Sequence, residues 1–134
     1  MEGVAINHAA VWVAAISDFL VGALWFSPLL CYRVWMKSNG LVESDLQKGN
    51  PGIIYGGTFV LALLISYLLA FFLASGEAGW AWGLAAGFLT GLGFATASLA
   101  IIALFERRSW SYVAVHAGYL TLAFSLKGLI IGAW

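Results

Sequence analysis

Four apolar stretches constrain this chain more than any short motif in it. They run over about residues 7–31, 53–74, 80–104 and 110–133. A helix that crosses a bilayer needs about 20 mostly apolar residues to cover a hydrocarbon core about 30 Å thick, and each stretch meets that length. The chain is 63% hydrophobic and only 9% charged, with a mean hydropathy of +0.95. A water-soluble domain of 134 residues could not hide that much apolar surface. The expected fold is therefore all-α: an integral membrane four-helix bundle, with residues 1–134 forming one domain. The lipid bilayer is its first expected partner.

The connections between the stretches are unequal. The first, Tyr32 to Gly52, is the longest and the most charged, with Arg33, Lys37, Glu43, Asp45 and Lys48. Within it, Leu41 to Lys48 can form a short interfacial helix. The second, around Ser75 to Gly79, carries only Glu77, and the third is the charged turn Phe-Glu-Arg-Arg-Ser at 105–109. Arg33, Lys37, Lys48, Arg107 and Arg108 all fall in the first and third loops, and the second loop and both tails carry no Lys or Arg. Positive loops stay in the cytoplasm. The expected topology is thus a multi-pass membrane protein, with loops one and three cytoplasmic and both termini outside. The N-terminal run, with no Lys or Arg before it and no small-residue cleavage site, is expected to be a retained helix rather than a removed signal. Trp80, Trp82 and Trp134 would mark the outer interface and Trp35 and Trp110 the inner one. Trp25 is left to pack within the bundle, and Pro28 is placed to bend the exit of the first helix.

The third stretch carries a packing signal. Gly79, Gly83, Gly87 and Gly91 recur every four residues, and Ala95 continues the row. Small residues at that spacing form a glycine zipper, letting backbones approach closely where lipid supplies no hydrophobic force between helices. Gly128 and Gly132 repeat the spacing in the fourth stretch. The partner of the row is either another helix of the same chain or the same helix of a neighbouring subunit.

Ionisable residues inside a span are expensive and are candidates for function. Asp18 lies eleven residues beyond Asn7, about 16 Å along a helix, which places it near the midplane. Eleven residues are three turns, so Asn7 and Asp18 share a face with Val11, Ala14, Gly22 and Trp25. His116 and Lys127 are also eleven apart, with Ala123 between them. Lys127 lies about 10 Å in from Trp134, so Asp18 and Lys127 differ in depth by only about 6 Å, within reach of a lysine stem. An ion pair joining the first and fourth helices would give both charges a partner. Two alternatives stand beside it. Lys127 can snorkel outward while Asp18 is neutral or hydrogen-bonded to Ser17, Thr90 or Ser98, or Asp18 can handle a proton or ion.

Other chemistry has little to build on. Glu106, Arg107 and Arg108 fit a topology-setting, phosphate-facing turn. One cysteine, Cys31, allows no intrachain disulfide framework. His8 and His116 with Asp18 have no metal-ligand spacing, so no metal is expected, and no cofactor. Equal numbers of basic and acidic residues, without a basic stripe, make nucleic acid an unexpected partner. No Walker loop, dinucleotide turn or nucleophile elbow is present.

Three stretches together resemble a bacterial family known as domain of unknown function 1761. They are N-H-A-A-V at 7–11 with G-A-L-W-F-S-P-L-L and the following Trp35–Met36; A-L-F-E-R-R-S-W at 103–110; and A-G-Y at 117–119 with the terminal G-L-I-I-G-A-W. The resemblance covers nearly the whole chain in order. It implies a small four-helix membrane protein, and neither an established activity nor catalytic residues. Asn7, Trp25, Pro28, Trp35, Glu106, Arg107 and Gly128 are motif positions without assigned roles, and Asp18 and Lys127 stand outside the pattern. The expected function is a structural or accessory membrane subunit, working as a homo-oligomer or within a larger complex, and not an enzyme. The alternative is a small transporter or channel coupled through Asp18.

Overall fold

The computed structural model describes residues 6–74 and 79–134, apart from the side chain of Glu43. The expected second connection, with Glu77, therefore lies outside the described residues except for Gly79. The described chain is helical, with no strand, and four of its helices are long and apolar enough to cross a membrane. We number them with the two short ones in chain order: α1 His8–Trp25, α2 Tyr32–Asn39, α3 Glu43–Leu46, α4 Pro51–Ala74, α5 Trp80–Phe105 and α6 Trp110–Ala133.

Local chemistry sets the ends. Asn7 caps α1, its side chain accepting from the Ala10 amide at 3.1 Å. Asn50 does the same for α4, accepting from Gly52 at 3.0 Å, with Pro51 in the first-turn position that needs no amide hydrogen. Ser109 caps α6 by accepting from Tyr112 at 3.2 Å. At the end of α5, Arg108 donates to the Ala103 carbonyl at 2.9 Å and Arg107 to Leu104 at 3.2 Å. That is a Schellman closure, with Arg107 at φ 58° where glycine is the usual occupant.

Two boundaries differ from the sequence-based expectation. The first span ends at Trp25, not near residue 31, because Pro28 supplies no amide hydrogen and turns Ser27 away from helical geometry. Its 18 residues still extend about 27 Å, close to the hydrocarbon thickness. The loop that follows contains a full helix, α2, which buries Met36 and leaves Arg33 and Lys37 exposed; Gly40 closes it at φ 65°. The helix expected over Leu41 to Lys48 shrinks to the single turn of α3.

The long helices alternate in direction, and α6 is the central one. It packs on α5 along most of its length, on α1 along a second face, and more briefly on α4, while α2 lies against its first turns. α4 leans mainly on α1. The large apolar side chains point outward, with Phe94 74%, Phe72 66% and Leu20 68% exposed, while the interior is built from small residues such as Ala10, Ala14, Ala15, Ala62 and Ala123. That inverted pattern suits a hydrocarbon surround, where helices associate by close packing.

The α5–α6 seam is the closest. A Cβ on Gly83 would collide with the Gly128 carbonyl oxygen, and one on Gly128 with the Gly83 carbonyl oxygen. Gly87 lies against the Phe124 carbonyl and Gly91 against Leu120, Thr121 and Phe124. Gly132 faces the Gly79 carbonyl, and Gly79 itself takes φ 132°, a conformation that favours glycine. The glycine row thus meets a helix of its own chain. Ala95 does not continue it: Gly91–Thr96 form a π-turn, which inserts one residue into the repeat, so Thr96 becomes the next buried position and Ala95 is only half-buried.

Candidate functional site

α1 and α6 are joined by a buried polar cluster. Asp18 is 7% and Lys127 1% exposed. Lys127 donates from Nζ to Asp18 Oδ2 at 2.8 Å, and Tyr119 donates its hydroxyl to Asp18 Oδ1 at 2.6 Å. Each carboxylate oxygen therefore accepts a strong hydrogen bond, one of them from a cation. The Lys127 ammonium also sits over the Phe124 ring, 4.5 Å from its centroid.

The sequence builds this cluster by spacing. Tyr119, Ala123 and Lys127 succeed one another at four-residue intervals on α6, and Ala123, 1% exposed, is small enough to let α1 approach. Gly22 lies one turn beyond Asp18, and a Cβ there would touch the Tyr119 ring at 3.5 Å. Further along, Gly118 leaves room for the Trp25 indole, whose Nε1 donates to the Val115 carbonyl at 2.9 Å. Phe26 then packs its ring against Trp35, His116 and Tyr119, with centroids 5.2–5.8 Å apart.

The alternative partners for Asp18 are engaged elsewhere. Ser17 donates to the Ala14 carbonyl at 2.5 Å, and Thr90 to the Ala86 and Gly87 carbonyls at 2.8 and 3.1 Å. Ser98 lines a separate cavity described below.

Asn7 and His116 are not brought into the cluster. Asn7 is exposed and serves as the α1 cap, which corrects the expectation of a polar face running from Asn7 to Asp18: the side chain turns back to the free amides of its own first turn instead of toward α6. His116 lies between the Phe26 and Tyr112 rings, at 5.8 and 4.4 Å, and its Nε2 is buried without a partner among the described residues. His8 is exposed and meets the Tyr67 hydroxyl at 2.9 Å. Glu106 and Arg108 form an exposed pair at 3.3 Å in the turn before α6, and Arg108 lies over the Tyr112 ring. No group of three His, Cys, Asp or Glu gathers among the described residues.

Tyr119 is the member that spacing arguments missed. The signal was its position eight residues before Lys127, two turns along the same face, inside the A-G-Y stretch.

One cavity adjoins the cluster and shares lining residues with a second. The smaller, about 180 Å³, is lined by Asp18, Tyr119 and Lys127 together with Thr58, Ala62 and Ile65 of α4. The larger, about 330 Å³, lies between α4 and α5 and is walled by Leu68, Phe72, Phe94 and Ala95. Ile65 and Phe124 line both.

These features define a polytopic helical membrane protein with a buried Asp–Lys–Tyr cluster between its first and last long helices. The chain belongs to the family described as Protein of unknown function (DUF1761), whose model matches residues 9–132. Comparison with curated proteins and with solved structures finds no match in either.

Proposed function

We propose that the chain is a structural or accessory membrane subunit, with the Asp18–Lys127–Tyr119 cluster acting as an internal tie between its first and last long helices. The observation that carries this reading is the state of Asp18. It is buried, both its oxygens accept hydrogen bonds, and a lysine at 2.8 Å cancels its charge. A carboxylate that exchanges protons or ions across a membrane needs an alternative to its partner, whereas a tie needs only the partner. We read the chain as non-enzymatic, since the sequence carries no nucleotide loop or nucleophile elbow. The basic turns favour loops one and three cytoplasmic and both termini outside, and the resemblance to a bacterial family favours a bacterial inner membrane. So small a bundle, with this much outward apolar surface, suits a homo-oligomer or a subunit of a larger complex; native mass spectrometry from mild detergent reports the copy number.

A second reading, a small carrier coupled through Asp18, draws support from the 180 Å³ cavity that reaches the carboxylate. A proteoliposome flux assay separates the two. The tie predicts the same background proton and cation flux for the native chain and for the Asp18→Asn/Lys127→Met double variant. A flux that the double variant abolishes would reject it.

A further inference from the structure

Two of the hydroxyls around the smaller cavity have already given up their hydrogens. Thr58 donates its hydroxyl to the Ile54 carbonyl at 2.6 Å, and Tyr119 donates to Asp18. Asp18 has no hydrogen to give, and its two oxygens offer about four acceptor positions, of which two are filled. Lys127 keeps two ammonium hydrogens beyond the one given to Asp18, but its Nζ sits over the Phe124 ring and the residue is 1% exposed, so Asp18 is the more open of the two. The cavity therefore presents acceptors.

Charge and depth narrow the occupant further. Asp18 and Lys127 cancel, so a charged ligand would enter a low-dielectric site with no net counter-charge, at a cost of a few kcal/mol near the bilayer centre. A phospholipid headgroup is excluded on the same ground. What fits is an uncharged group that donates a hydrogen bond and is carried into the membrane on an apolar chain. The neighbouring 330 Å³ cavity, walled by Leu68, Phe72, Phe94 and Ala95 and meeting the first at Ile65 and Phe124, is placed to take that chain. Its volume lies at the lower end of the about 300–1,000 Å³ typical of small-ligand sites.

We propose that the cleft on the α4 side of the Asp18–Tyr119–Lys127 cluster binds an uncharged lipid alcohol, its hydroxyl donating to the spare acceptor positions of Asp18 and its chain lying between α4 and α5. The site reads the hydroxyl hydrogen, and the chain supplies partition into the cleft. Ile65, at the junction of the two cavities, decides whether both halves are occupied together.

Farnesol, farnesyl methyl ether and farnesoic acid, titrated separately onto the native chain in detergent and followed by native mass spectrometry, test this directly. Farnesol should form a saturable complex with one molecule per chain. The ether, which lacks the hydrogen, and the acid, which adds a charge, should each bind at least tenfold more weakly, the size expected for one hydrogen bond to a charged group. Ile65→Phe, which fills the junction, should weaken farnesol binding about tenfold while leaving the helical circular dichroism of the protein unchanged. No saturable farnesol complex, equal binding of alcohol and ether, or farnesol binding indifferent to Ile65→Phe would each overturn the proposal. The ligand series uses the native chain, so it stands even if the variant fails to fold.

Discussion

Removing the charges of Asp18 and Lys127 singly and together has very different expected costs. At 2.8 Å and an effective dielectric constant of about 20, the pair attracts by about 6 kcal/mol. Withdrawing two ions from water costs several kcal/mol per ion, so the net value of the pair is close to zero. Loss of one partner is another matter, because a buried charge is left uncompensated. Lys127→Met and Asp18→Asn should each destabilise the fold by about 3–5 kcal/mol. The double variant should lie within about 2 kcal/mol of the native chain, since an amide and a thioether of similar volume replace the ions and Tyr119 can still donate to Asn at position 18. The coupling between the sites is then about 4 kcal/mol or more. Unfolding in mixed detergent micelles, followed by far-ultraviolet circular dichroism, measures all four corners of the cycle. A double variant as unstable as the sum of the singles, with coupling under about 0.5 kcal/mol, would refute the tie between α1 and α6.

Three further outcomes follow from individual contacts. Gly87→Ala places a Cβ against the Phe124 carbonyl and should cost about 1–3 kcal/mol in the same unfolding assay, while Gly93→Ala, with open space around it, should be near neutral. Gly118→Ala pushes a methyl into the Trp25 indole, whose Nε1 holds the Val115 carbonyl, so tryptophan emission should shift as that ring is displaced. Arg107→Gly relieves a left-handed conformation at the end of α5 and should raise stability by about 1 kcal/mol, read as a higher melting temperature.

The readability of the sequence varied with the range of the forces involved. The four spans follow from composition over windows of twenty residues, and bilayer thickness leaves little freedom in their length. The meeting of Asp18 with Lys127 was legible for a similar reason: helix rise and a common membrane frame fix the depth of each residue before any packing is known. Tyr119 was legible only in part: its place two turns before Lys127 puts it on the right face of α6, but no spacing within α6 reports that its hydroxyl reaches Asp18 on the facing helix. Asn7 was misplaced by periodicity alone. A residue that caps a helix answers to the unpaired amides beside it before it answers to a face. The π-turn at Gly91–Thr96 was also hidden. The four-residue row pointed to Ala95, and one inserted residue moved burial to Thr96.

The π-turn also bears on where the bundle is open. By moving the buried position from Ala95 to Thr96, it turns Ala95 and Phe94 toward α4, and both line the larger cavity. On the other side of α6, the glycine contacts and the Asp18 cluster draw α5 and α1 tightly inward, leaving α4 to lean on α1 and to meet α5 across a gap. Close packing at two seams of α6 thus leaves looseness around α4, whose residues line both cavities. The ion pair forms part of the wall of that looser region while fixing the tighter one, so the same residues can hold the helices together and present a polar surface to whatever enters from the lipid. In a chain with 9% charged residues, a buried pair that served packing alone could be replaced by apolar side chains at little cost. Its contact with a cavity supplies the further physical reason for a carboxylate at position 18.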